Sequence, residues 1–356
     1  MGHGAVTTMA DVARLAGVST STVSHVVNGT RQVNPVTSDS VRRAIEQLGY
    51  HRNTVARALA TSRTMTVGLG VPVTRNTTFT VLVEVIEREL ATAGYTLMLH
   101  DTHDDPLVQD RVVRQLLELR SDGIILAPAP DPGPVDGRKS AALRRAVDGG
   151  LPVVLIDRFS DQDCDQVSSD NTAPVRMLTE HLAALGHRRI AVITGLAGLS
   201  TTDERIRGYL DAVAIGGLDP DPGLVVRGES DVDIAGAAVR ALFERADRPT
   251  AVVSLNNVMT IGAMRALVGL GLQVPRDVAL VCFDDFEWAE LFAPRLTAVE
   301  QDLTAMGSSA VAMLLARISN PATATRRIRV APVFHHRDSC GCHHGDEQHS
   351  NVSGRD

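Results

Sequence analysis

Thr20, Ser21, Ser24, His25 and Asn28 fall on one side of a short helical segment that carries no acid. Hydroxyl, amide and imidazole side chains of this kind offer donors and acceptors to base edges, and an acid-free helix bearing them fits the major groove of DNA. A second group with chemical potential closes the sequence: His335, His336, Cys340, Cys342, His343, His344 and His349 are all zinc-ligand types. The run CGCHH lacks the two-to-four-residue separation of structural zinc pairs, and a His-rich tract is only a compositional signal. Residues 338–356 therefore read as a disordered tail, with no metal and no cofactor expected. The tail has no leucine heptads with which to build a tetramer. No GxSxG, HExxH or GxxxxGK[ST] pattern occurs, and scattered Asp, His and Ser do not make a triad, so no enzyme is expected.

The DNA-facing side chains need a scaffold, and the sequence supplies one. MADVARLAGVSTSTVSHVVN divides into helices at Met9 to Ala16 and Ser19 to Asn28, parted by Gly17 and Val18. Val12, Ala16, Val18, Val23 and Val26 form the inner face, Ala13 is small where the helices meet, and Gly17 suits a left-handed turn. Thr8, with Asp11 three residues on, and Ser19 can cap the two starts. Asn34-Pro35 opens a third helix that runs to Leu48 and stops at Gly49, with Val41, Ala44, Ile45 and Leu48 inward. NTVARALA, residues 53–60, is a further helical segment too short to be stable alone in water.

The chain has 356 residues, enough for two or three domains, and 44% hydrophobic content supports well-buried cores. No apolar run approaches membrane-spanning length, and MGHGAVTT contains no export signal. Four cysteines make no disulfide framework, so a cytosolic protein is expected. The net charge of −7 is unevenly spread: residues 1–63 hold seven arginines against three acids, giving +4 and leaving −11 for the remainder. A basic head on an acidic body suits phosphate contact by the head alone.

From Thr66 onward strand and helix patterns alternate, with strands at 67–71, 95–99, 123–127, 152–156, 189–193, 250–254 and 278–283. Such alternation implies parallel sheets flanked by helices, which bind ligands at the carboxyl ends of their strands.

DVARLAGVSTSTVSHVVNG, VRRAIEQLGY, NTVARALATSRTMTVGL, IDR, SSDN, HLAALGHRRIAVITG, ERIRGY, VPRDVALVCFDD and PRLTAVEQD follow one another in the order found in the lactose-repressor/galactose-repressor (LacI/GalR) family of bacterial transcription regulators, which the chain resembles over nearly its whole length. The resemblance implies an α/β fold: a helix-turn-helix head at 8–52, a hinge helix and linker at 53–63, and a two-lobed core like periplasmic binding proteins. The expected lobes are 64–160 plus 295–320 and 161–294 plus 321–337, with crossings near 159–167, 284–296 and 319–326.

The resemblance also implies a homodimer on a near-palindromic operator, and a sugar-like effector between the lobes. For DNA it points to Thr8, Ser19, Thr20, Ser21, Thr22, Ser24, His25, Asn28, Asn34, Thr37 and Asn53. In the hinge, Leu59 would be a minor-groove wedge, and Val55 and Ala56 would pack against the partner hinge and the groove floor. For the effector it points to Asp157, Arg205, Asn256 and Asp284 at strand ends, with Asp170, Phe79 and Thr78 beside them. Asp231 replaces an aromatic of some relatives, which favours a hydroxylated ligand over a flat purine. Departures in the head are His25 in place of arginine, Arg52 in place of proline, and Ser38 and Ser40 where cations are common. Two alternatives stay open on the sequence: a carbohydrate-binding protein whose head is vestigial, and a regulator that responds to a nucleobase or nucleoside. Metal-responsive control through the tail is a further possibility.

Overall fold

The computed structural model describes residues 7–29, 31–50, 63–74, 76, 78–130 and 141–342, and the chain divides into units at 1–64 and 65–356. The first unit holds three helices, α1 (Met9–Ala16), α2 (Thr20–Asn28) and α3 (Pro35–Leu48). Thr8 accepts from the Asp11 amide while the Asp11 carboxylate accepts from the Thr8 amide, a complete capping box. Gly17 takes φ +68°, the left-handed conformation that ends α1 before α2 begins. Ser19 accepts from the Thr22 amide at 3.1 Å and Asn34 from the Val36 amide at 3.0 Å, so each helix starts on a side-chain acceptor. Val12, Ala13, Val23, Val41 and Ala44 form the buried centre, joined by Tyr50, which the helical pattern did not single out because it lies past the end of α3.

The second unit contains two six-stranded sheets. Its elements are β1 (Thr66–Val71), α4 (Thr78–Thr92), β2 (Thr96–Asp101), α5 (Pro106–Glu118), β3 (Gly123–Leu126), α6 (Ala141–Asp148), β4 (Val153–Ile156) and β5 (Asp165–Ser169) in the first lobe. The second lobe continues with α7 (Thr172–Ala184), β6 (Ile190–Thr194), α8 (Ser200–Gly216), β7 (Val225–Arg227), α9 (Val232–Phe243), β8 (Ala251–Ser254), α10 (Asn257–Gly269), β9 (Ala279–Phe283) and β10 (Thr297–Glu300). The chain then returns through α11 (Leu303–Ser319) and β11 (Arg327–Val330) and ends on β12 (Val333–His335). Strand order is β11-β5-β4-β3-β1-β2 in one sheet and β12-β10-β9-β8-β6-β7 in the other, so the lobes repeat one topology. All pairings are parallel except β12 with β10. Strands buried on both faces, such as GIIL and VVLI, require the helices that cover them.

The lobe boundaries differ from those expected of the sequence. Asp165–Ser169 pairs with β4 and β11, so it belongs to the first lobe and not the second. Thr297–Glu300 pairs with β9 in the second lobe, and Arg327–Val330 with β5 in the first. The crossings accordingly fall at 170–171, 301–302 and 331–332, each later than the pattern suggested. DQVSS, TAVE and RIRV are short and half polar, and their strand character comes from the ladder they join.

The tail also begins later than expected. Asp338 pairs with Arg295 at 2.8 Å, the Ser339 hydroxyl donates to the Leu280 carbonyl at 2.6 Å, and Cys340 is buried against the second-lobe core. Residues 338–342 are thus part of the fold, and 343–356 lie outside the described residues. No described helix is long and apolar enough to cross a membrane.

Candidate functional site

Six of the seven residues expected at the effector site, Thr78, Phe79, Asp157, Arg205, Asn256 and Asp284, line one cavity of about 50 Å³ between the lobes. Each comes from the carboxyl end of a strand or the helix that follows it, where peptide amides and helix starts leave polar groups to be satisfied. Asp157 follows β4 and Asp284 follows β9, with φ of +70° and +69°. Left-handed backbone is uncommon for side-chain-bearing residues and tolerated best by Asn and Asp. The two turns hold both carboxylates in the cavity lining.

Arg205, on α8, lies flat on the Phe283 ring at 3.7 Å from its centroid. Its Nε donates to Asn171 Oδ1 at 2.8 Å and its Nη1 to the Leu255 carbonyl at 2.6 Å, with Asp284 at 3.5 Å. A guanidinium seated this way loses little freedom when it receives a ligand. Asp284 also accepts from Gln301 Nε2 at 2.6 Å, which leaves Gln301 Oε1 buried with no partner among the described residues. Asn256 caps α10 by accepting from the Met259 amide and donates to the Ser230 hydroxyl at 3.0 Å.

The first lobe contributes a group that strand-end reading missed. Arg158 donates to Asp104 at 2.5 Å and to the Pro128 carbonyl at 2.9 Å, sits 3.2 Å from Asp157, and lies over the Phe79 ring at 5.7 Å. Burial pushes the Asp157 carboxyl up, opposed by Arg158 and Arg205. Asp104 follows β2, and only the ladder of β2 beside β1 brings it to Arg158. The IDR string held the signal, since an arginine directly after a strand-end aspartate needs an acid nearby if it is buried.

Two expectations are corrected. Asp170 does not line the cavity; its carboxylate accepts from the Thr172 and Ala173 amides at 3.1 and 3.4 Å and starts α7. Its neighbour Asn171 is the residue that touches the site, through Arg205. Asp231 is not among the residues lining the cavity; its Oδ1 accepts from the Asp233 and Ile234 amides and starts α9. Phe79 is both core and lining, at 4% exposure.

Hydrogen bonds and an ion pair between the lobes flank the cavity. Asn257 Nδ2 donates to the Thr78 hydroxyl at 3.2 Å, the Phe159 amide to the Ser200 hydroxyl at 2.9 Å, and Arg329 to Glu204 at 2.5 and 2.9 Å.

In the head, Thr20 and Ser21 are exposed on α2, and Thr22, Ser24 and His25 are half-buried. Thr8, Ser19 and Asn34 spend their side-chain oxygens on helix starts, and Thr37 is half-buried on α3. The Asn28 side chain, Arg52, Asn53, Val55, Ala56 and Leu59 lie outside what is described.

Residues 8–53 match the model described as bacterial regulatory proteins, lacI family, and 179–340 match a periplasmic binding protein-like domain. The chain is 34% identical over 333 residues to the ribose operon repressor of Escherichia coli (strain K12), across 93% of this chain and 99% of that protein. The chain belongs to the LacI family. It is a DNA-binding transcriptional regulator, and the relatives it matches are named as repressors and not as enzymes. It is also 33% identical over 316 residues to the HTH-type transcriptional repressor PurR of Vibrio atlanticus (strain LGP32), across 88% of this chain and 92% of that one. Among solved structures it resembles the lac repressor dimer bound to operator and the anti-inducer ONPF, with a TM-score of 0.83 and 25% identity over 94% of this chain and 99% of that one.

Proposed function

We propose that this repressor binds a near-palindromic operator as a homodimer and is controlled by an uncharged polyhydroxylated effector, a sugar or sugar derivative, held between the lobes of its core. The observation that carries the effector reading is the pairing of charge in the cavity. Arg158 is taken up by Asp104, Asp157 and a carbonyl, and Arg205 by Asn171, Asp284 and a carbonyl. Three aspartates, Asp104, Asp157 and Asp284, face these two arginines in the lining, so no positive charge is in excess there for a phosphate or carboxylate. What remains is a ring of acceptors and donors suited to hydroxyl groups, with the buried Gln301 Oε1 among them and Phe79 as an apolar wall.

The likeness to a ribose operon repressor supports the same class, and the likeness to a purine repressor is the reason to test nucleobases beside sugars. Asp157, Asp284 and Arg205 serve this ligand directly, with Asn256 and Thr78 beside them in the lining. Asp170 acts through Asn171 at most. In the head, two-fold symmetry of the protein calls for two half-sites, each read by Thr20, Ser21, Ser24, His25 and Asn28, with Thr8, Ser19, Thr22, Asn34, Thr37 and Asn53 placed for the backbone and Val55, Ala56 and Leu59 for the minor groove. The effector shifts operator affinity only as far as it prefers one lobe arrangement over the other.

The test is calorimetric titration of the purified chain with pentoses, hexoses, hypoxanthine and guanine, paired with fluorescence anisotropy on palindromic fragments. One neutral polyol should bind and change operator affinity at least tenfold, and Arg205→Ala should abolish that response while operator binding persists. Binding of a purine alone, or an unaltered response in Arg205→Ala, would overturn the effector reading.

A further inference from the structure

Away from the cleft, four metal-ligating side chains converge where the end of the chain meets α7. His181 sits in the last turn of α7, His336 directly follows β12, and Cys340 and Cys342 lie beyond it. One ligand atom from each lies within 4.8 Å of all the others. The Cys342 thiol is 3.8 Å from His181 Nε2 and in contact with His336 Nε2.

Several independent features bring these atoms together. The antiparallel pairing of β12 with β10 delivers His336 to the sheet edge. Asp338 on Arg295 and Ser339 on the Leu280 carbonyl fix the turn that follows. Gly341 has φ +84° between the cysteines, a conformation open to glycine that turns both thiols toward one point across a single intervening residue. That turn, together with a ligand 155 positions upstream, replaces the wider cysteine spacing whose absence argued against a metal in the sequence. Phe334 stacks on His336 at 6.0 Å and meets the His181 ring edge at 5.8 Å, and Cys340 is buried, so the cluster has an apolar wall.

We propose that His181, His336, Cys340 and Cys342 form a structural site for one tetrahedral divalent cation of the zinc class. Tetrahedral zinc with two sulfur and two nitrogen ligands sets its ligand atoms roughly 3.3–3.8 Å apart, which small side-chain shifts within this cluster reach. Two thiolates and two neutral imidazoles balance the charge of the ion, and the soft set disfavours magnesium or calcium. Four protein ligands leave no open position, so the ion staples and does not catalyse. It ties the C-terminal segment to α7, and that segment carries Arg337, whose guanidinium holds Asp285 beside the cavity residue Asp284.

The experiment uses the full-length chain without a histidine tag, stripped with chelator under reductant and titrated with cobalt(II), then zinc. One equivalent of cobalt should give intense tetrahedral visible bands with a thiolate charge-transfer band, zinc should bleach them, and the melting temperature should rise on loading. His181→Gln and Cys342→Ser should each weaken cobalt binding at least tenfold, while His343→Ala/His344→Ala keeps the bands. Circular dichroism and operator binding of the stripped variants show that they fold. Absence of stoichiometric binding by the wild-type chain, weak octahedral bands, or bands that survive His181→Gln and vanish with His343→Ala/His344→Ala would overturn the proposal. A Cys340–Cys342 disulfide in the protein as isolated, with no metal taken up after reduction, would do the same.

Discussion

Asp157 and Asp284 occupy matching places in the two lobes, each one residue past the equivalent strand of a repeated sheet and each in left-handed backbone. The residues that follow them are opposite in charge. Arg158 turns inward and binds Asp104 within its own lobe, so the first lobe closes its charge network at the cavity. Asp285 turns to Arg337 in the C-terminal segment, so the second lobe closes its network on the last part of the described chain. One topology thus yields one lobe whose charged pair serves the ligand wall and another whose charged pair serves the attachment of the chain end.

The largest effects should come from breaking those two pairs. Arg337 and Asp285 are 8% and 10% exposed at their side chains, and Arg337→Met leaves a buried carboxylate with Glu290 as its acidic neighbour. A loss of about 3–5 kcal/mol is expected in denaturant unfolding. Arg158→Met should cost a similar amount and also abolish effector binding, because Asp104 and Asp157 are then unpaired in the cavity wall. Calorimetry separates the two variants: Arg337→Met should keep measurable effector affinity where Arg158→Met does not. Equal loss of affinity in both would erase the distinction between the lobes.

The paired aspartates sharpen the comparison. Burial pushes the Asp157 carboxyl up, so the folded protein holds that proton more tightly than the unfolded chain does. Stability from this group is therefore greatest in acid and declines as pH rises from the unfolded value of about 3.9 to the higher folded one. Asp157→Asn keeps a side chain tolerant of left-handed backbone and should melt no lower than wild type at neutral pH, with wild type gaining on the variant as pH falls. Asp284→Asn removes a carboxylate bonded by Gln301 and placed against Arg205, and should cost about 1.5–3 kcal/mol. A fall in stability for Asp157→Asn matching that of Asp284→Asn would show that the two acids do equivalent work.

Helices α1 to α3 and the central strands were legible because each is a local pattern: a cap, an apolar face, a stop, or a run of buried aliphatics. The cavity acids and Arg205 were found through family resemblance, and the strand-end positions of Asp157, Asn256 and Asp284 gave that assignment physical sense. What stayed hidden depended on distant partners. DQVSS, TAVE and RIRV become strands only beside neighbours up to about 160 residues away, which is why the lobe crossings were misplaced. Asp170 was misread because an aspartate at a strand end serves equally as a helix start, and only the position of α7 decides between the two. Arg158 and the His181 ligand of the C-terminal cluster were missed for the same reason, since neither has its partners within reach in sequence.

The smallest expected effect tests whether the lobes are held together by their own contacts. Arg329 is 42% exposed and Glu204 17%, so the bond between β11 of the first lobe and α8 of the second is partly screened by water. Burial alone would push the Glu204 carboxyl up, but Arg329 and Asn171 hold it below the usual carboxylate range. Its contribution is therefore complete above the ordinary glutamate value of about 4.3 and is lost as pH falls through the lower folded value. Glu204→Gln should cost less than about 1 kcal/mol of global stability. Small-angle scattering of the effector-free protein should still register a more open core in the variant at neutral pH, because the contact joins β11 of the first lobe to α8 of the second. An unchanged scattering profile would assign closure to the Thr78–Asn257 and Phe159–Ser200 contacts instead.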